Sequence, residues 1–172
     1  RARAALSNLG TRRSAGSMIV LPAMTRSSLH LPGGMIILNK NLFEDYESPD
    51  VAAGFILSEL VHRKAQDPLA QMLSVISLRE NFRLLTTGDV SDDALAAYAE
   101  HLMTQPSQPA ETGPLLARFE AEALHSPPYA QALDITGEST LALIEGDPMA
   151  GQETSPLISD ADWLRVQNIC GG

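Results

Sequence analysis

The sequence predicts a mostly helical α+β fold in which a small amino-terminal β-sheet packs on one central buried helix. Three observations carry this. Two short apolar stretches, "SMIVLP" at 17–22 and "GGMIILN" at 33–39, lie early in the chain between turn residues, as strands do. A helical segment over 49–66 contains "VAAGFIL", apolar on every side, which marks a helix inside a domain rather than on its surface. From there to the end the periodicity is helical, broken by capping residues, prolines and glycines.

Taken in order, "AMTRSSLHLP" between the two strands reads as irregular, and Pro32, Gly33 and Gly34 force a turn into the second strand. Ser48 can cap the central helix, Pro49 suits its first position, and Asp50 complements the positive end of the dipole. A second helix is expected over 68–87, bent near Ser77 and stopped by Gly88. Ser91 caps the next, whose Leu95, Tyr98, Ala99 and Leu102 are expected on one face. A polar connector follows, then a helix over 114–124 that "HSPP" breaks, and short helical pieces near 129–133 and 139–145. Residues 146–156 are too rich in Gly, Pro and polar residues to be regular. Ser159 caps the last helix, where Trp163, Val166 and Cys170 form one apolar stripe. The Leu, Met and Ala stripes at helical spacing are expected to be core.

With 172 residues, 44% hydrophobic and 19% charged, the whole chain, 1–172, is expected to form a single domain with one sizeable core. The net charge of -9 is uneven: residues 1–84 carry ten Lys/Arg against seven acids, and the remainder only Arg118 and Arg165 against fourteen. This balance argues against nucleic acid, which needs a cationic surface to displace counterions. Residues 1–16 read as a flexible basic arm. No run of 18 apolar residues is present, so no transmembrane segment is expected. The opening at Arg1 rather than Met suggests an upstream signal or anchor. Cys170 is the single cysteine, which excludes an internal disulfide.

The chemistry concentrates in "SELVH", residues 58–62 of the central helix. In the pattern HExxH two histidines four apart share a helix face and hold one zinc ion, while the Glu between them deprotonates the attacking water. Here Glu59 and His62 stand at the base and second-ligand positions, and Ser58 replaces the first histidine. The serine hydroxyl stays protonated near neutral pH and is a poor zinc ligand.

The stretch "LPGGMIILNKNLFEDYESPDVAAGFILSELVH", 31–62, resembles the zinc metallopeptidases of the HtpX and CAAX-prenyl-protease class. There a Pro-Gly-Gly segment leads into an edge strand, followed by a short helix, an acidic linker and the active-site helix. Here the four parts fall on 31–34, 35–38, 41–46 and 48–62. The resemblance implies a zincin-like fold, and residues 84–103 are similar to a later turn-helix unit of that family. It also implies a third, glutamate ligand upstream of Gly88. That position falls in "LSVIS", 73–77, which contains no acid. "HSPPYAQAL" is similar to a His-Pro segment near the family's active site but lacks the arginine that follows it. The departures fall on the metal site, while the scaffold positions are kept.

Two functions follow as expectations. The first is a catalytically inactive pseudopeptidase that binds a peptide or protein and needs no cofactor. In the family, substrates add to the strand after Pro-Gly-Gly, so Gly34, Met35, Ile36, Ile37 and Leu38 are the expected peptide-binding residues. The second is a residual zinc-dependent endopeptidase with Glu59 as base, His62 as metal ligand, and further ligands drawn from elsewhere, with His30, His101 and His125 as candidates. In the absence of metal, Glu59 is expected to pair with Arg63 and His62 to bond Ser58. Ser27 and Ser28 near His30 form a short-range cluster with no acid beside it in sequence. The family is mostly exported or membrane-linked, so the resemblance favours a bacterial envelope setting, periplasmic or membrane-associated, over the cytoplasm.

Overall fold

In the computed structural model the described residues are 17–22, 24–106, 108–133 and 138–170, and the basic arm expected over 1–16 lies outside them, as does the side chain of Cys170. The fold is mostly helical with one small sheet, as the sequence predicts. Its strands are β1 (Met18–Leu21), β2 (Ser28–Leu31) and β3 (Met35–Asn39), in the order β1-β3-β2, with β3 parallel to β1 and antiparallel to β2.

β2 falls in the stretch read as irregular. Its signal is present but short: Ser28, Leu29, His30 and Leu31 alternate polar and apolar, the period of a strand with two different faces. Ser28 and His30 point to one side of the sheet, Leu29 and Leu31 to the other. The link from β2 to β3 is the expected Pro-Gly-Gly turn, with Gly33 and Gly34 at φ 81° and 78°, a conformation that a side chain would oppose.

The order of strands corrects one expectation. β3 is the middle strand, and both of its edges are used. The amides of Ile36 and Lys40 donate to Ser17 and Leu21 on the β1 side, and that of Asn39 donates to Ser27 on the β2 side, at 2.8–2.9 Å. Met35, Ile36, Ile37 and Leu38 therefore offer no open edge to an added peptide strand, and Gly34 belongs to the turn that precedes β3. Antiparallel pairing instead sends the main-chain groups of Ser28 and His30 outward, where no strand pairs with them among the described residues.

After the single turn α1 (Asn41–Glu44), the central helix α2 (Pro49–Ala65) begins as its sequence dictates, with the Ser48 hydroxyl accepting from the Asp50 amide at 3.1 Å. Nearly all of its residues from Val51 to Val61 are buried. Ile36 and Leu38 of the sheet descend onto it, and α6 (Thr112–Ala121), α7 (Pro127–Ala132), α8 (Glu138–Glu145) and α9 (Asp160–Cys170) complete the main core. Each fully buried Leu, Ile or Phe here contributes roughly 1.5–3 kcal/mol. Gly54 is required by this packing, because a methyl group there would fall inside Tyr129 of α7.

The other face of the sheet carries a second cluster, in which Leu29 meets Met72, Ile76, Ala94, Tyr98 and Leu102. The helix expected over 68–87 is two helices, α3 (Pro68–Val75) and α4 (Leu78–Thr87), because Ser77 caps the second and Ile76 is extended. Gly88 ends α4 in the left-handed conformation, as expected. α5 (Asp92–Thr104) buries Ala94, Tyr98 and Leu102 but turns Leu95 outward. α4 exposes Leu78, Phe82 and Leu85, so the rule that apolar stripes are core fails there. On α9, Trp163 and Val166 are buried as predicted.

Candidate functional site

The carboxyl-terminal half of α2 packs under the face of β2 that carries Ser28 and His30, and this brings two residues remote in sequence to Glu59 beside its helix neighbour His62. The Ser28 hydroxyl donates to Oε1 of Glu59 at 2.6 Å. Nδ1 of His30 lies 2.7 Å from Oε2, and Nδ1 of His62, three residues along the helix, 3.8 Å from the same oxygen. The two imidazole rings are near-parallel, 22° apart, with centroids separated by 6.2 Å.

Glu59 is only 4% exposed. Burial pushes its carboxyl upward, yet the hydrogen bond from His30, the nearby ring of His62 and the hydrogen bond from Ser28 outweigh that and hold it at about 2. The group is thus a carboxylate at any ordinary pH and can only accept. Nδ1 of His30 must then carry the proton that the carboxylate accepts. His62 is raised above its ordinary value by the Glu59 carboxylate beside it, working against burial, and the Pro109 carbonyl adds to the effect. Nε2 of His30 and Nε2 of His62 are both buried without a hydrogen-bond partner among the described residues.

Several expectations are resolved here. His62 faces Glu59, and Ser58 is hydrogen-bonded to the Tyr129 hydroxyl, whose pKa burial raises. Glu59 turns inward and is not the exposed member of a surface pair. Of the three scattered histidines only His30 reaches the site; His101 lies on α5, and His125 pairs with Asp147. Residues 73–77 end α3 and lead into α4, and Leu73, Val75 and Ile76 pack in the cluster on the opposite face of the sheet, so the third ligand of the resembled family has no counterpart there. An acid does stand beside Ser28 and His30 in space, but the serine hydroxyl is spent on the carboxylate rather than on a ring nitrogen. That is no nucleophile–base pair.

Two openings meet at Glu59 and His62. One, of about 80 Å³, is a small polar recess bounded by Arg26, His30, Glu59, His62 and Leu102. The other is a cleft of about 510 Å³ between residues 25–28 and α7, floored by Phe55, Ser58 and Tyr129. The cleft is within the size range of small-ligand sites. Arg26 lines both, its guanidinium reaching the Leu102 carbonyl at 3.5 Å while its buried Nε has no hydrogen-bond partner among the described residues.

As to metals, the ligand set that the resemblance implies does not assemble: Ser58 is turned to Tyr129 and no acid comes from 73–77. A different set does assemble. His30, Glu59 and His62 each offer a ligand atom, and these atoms lie within 4.8 Å of one another. Comparisons with protein-family models, with curated proteins and with solved structures find no match to this chain.

Proposed function

We propose that this chain is a zincin-like, peptidase-derived domain that binds an extended peptide or protein segment without cleaving it. The observation that supports this most directly is the state of Glu59. The one carboxylate at the position of the catalytic base has both oxygens engaged, by Ser28 and by His30. Water outside the influence of a metal has a pKa roughly 8–9 above that of zinc-bound water, about 12 kcal/mol in acidity, and a single occupied carboxylate does not supply that.

Binding is supported by the cleft and by β2. The outward main-chain groups of Ser28 and His30 suit strand addition, with main-chain hydrogen bonds giving affinity and the recesses beside Arg26 and Tyr129 giving selectivity. The test is to add a library of short peptides to isotopically labelled protein. Amide shifts are expected at Ser28, Leu29 and His30 and to be small at 35–38; a library that leaves β2 unmoved rejects the reading.

One observation favours a second reading, zinc-dependent endopeptidase activity. His30 arrives beside Glu59 and His62 and enlarges the donor set. That reading requires Glu59 to be released from His30 and to serve as base, so the activity would have to disappear in Glu59→Gln.

A further inference from the structure

We infer that His30, Glu59 and His62 together bind one divalent transition-metal ion of the zinc class, fastening β2 to α2 at the floor of the cleft. The site differs from the resembled family's ligand set, since it recruits a strand histidine and uses Glu59 as a ligand. It does not depend on the peptide-binding reading.

Three features point to it. The three residues come from two elements and converge with one donor atom each inside 4.8 Å, while a tetrahedral zinc ion with bonds of about 2.0–2.1 Å holds its ligands about 3.3 Å apart. Only a modest adjustment separates the two arrangements. Both rings turn Nδ1 toward Oε2, at 2.7 and 3.8 Å, so an ion that displaces the Nδ1 proton of His30 meets both rings and the carboxylate at once. The Pro109 carbonyl lies near His62 and favours its charged form. Ser28 anchors Oε1, which fixes the carboxylate and leaves Oε2 facing both rings, as an outer hydrogen bond does for a metal ligand.

Two imidazoles and one carboxylate select zinc, cobalt or nickel over calcium or magnesium, which prefer all-oxygen cages. Arg26 opposes a cation here, as it opposes protonation of His62, and so weakens the affinity. A fourth position would face the recess or the cleft, both of which Glu59 and His62 line. With Glu59 as a ligand no carboxylate is left to act as base, so metal binding and the lack of hydrolysis are compatible.

The test uses the full, untagged chain stripped of metal and titrated with Co²⁺. One equivalent is expected to give the visible absorption of a low-symmetry four-coordinate ion, removed by one equivalent of Zn²⁺. His30→Asn and His62→Asn should each weaken binding by about 100-fold or more. His101→Asn and His125→Asn should leave it unchanged. Absence of stoichiometric binding overturns the inference, and so does binding that survives both of the first two substitutions. Circular dichroism checks that the variants fold. Should one not, paramagnetic broadening by Co²⁺ in the unaltered chain decides: it must centre on 28–30 and 59–62, and broadening elsewhere overturns the site. Peptide binding measured with chelator present stands or falls separately.

Discussion

His30 meets Glu59 at 2.7 Å and His125 meets Asp147 at 2.8 Å, so contact distance does not distinguish the two pairs. Their surroundings do. His125 uses both nitrogens, Nδ1 on Asp147 and Nε2 on the Gln152 carbonyl, and Asp147 Oδ1 also accepts from the amides of Ser126 and Met149. Every polar group there has a partner, and the pair clamps residues 147–152 to the start of α7. The pair at Glu59 lies deeper, opens onto two cavities and leaves two ring nitrogens without partners. Spare donor capacity in a buried place, not the presence of a His–carboxylate contact, separates a candidate site from a structural clamp.

The sharpest way to break this contrast is Glu59→Ala. It strands the donors of Ser28 and His30 beneath the sheet and is expected to cost of the order of 3 kcal/mol in urea denaturation. Gly54→Ala follows, at about 2 kcal/mol, although alanine is the better helix former by about 1 kcal/mol. The clash with Tyr129 would lift α7 from α2 and disturb both regions together; a neutral or stabilising outcome would show that α7 is not seated as described. Asp147→Ala removes a partner from two amides and should cost about 1 kcal/mol. His125→Ala, partly exposed, should cost less than about 1 kcal/mol.

The dependence on pH sharpens the same comparison. Glu59 is depressed from its ordinary 4.5 to about 2, so its contribution is complete above pH 4.5 and is lost as pH falls toward 2. His62 and His125 are raised above 6.5, so their contributions are complete below that value and are lost as pH rises through their folded-state values. From these groups, stability is greatest between about pH 4.5 and 6.5. Glu59→Gln should remove the larger part of the acid-side loss, whereas His125→Ala should flatten the alkaline side and trim only the smaller acid-side share that Asp147 owes to His125. If Glu59→Gln leaves the acid limb as steep as before, the account of the buried carboxylate is wrong.

Much of this organisation is written locally. Ser48, Pro49 and Asp50 announce α2, and the unbroken apolar run after them announces its burial. Ser77, Gly88 and Ser91 mark three further boundaries. The site is less legible, because His30 lies 29 residues before Glu59 and only strand pairing brings them together. The four-residue alternation of β2 was the available clue, too short to stand out beside the serines before it. Strand order was hidden for a related reason: β3 looks like an edge strand only until β2 is recognised as its partner. On α4, exposed Leu78 and Phe82 show that periodicity reports which residues share a face, not whether that face is covered.

The most direct test of the central claim is a mass-spectrometric search for new peptide termini. The unaltered chain and Glu59→Gln would each be incubated with a proteome-derived peptide library in the presence of Zn²⁺. The account predicts that neither generates products above the buffer control, while both retain peptide. Zinc-dependent cleavage by the unaltered chain that vanishes in Glu59→Gln would contradict it and establish a working hydrolase.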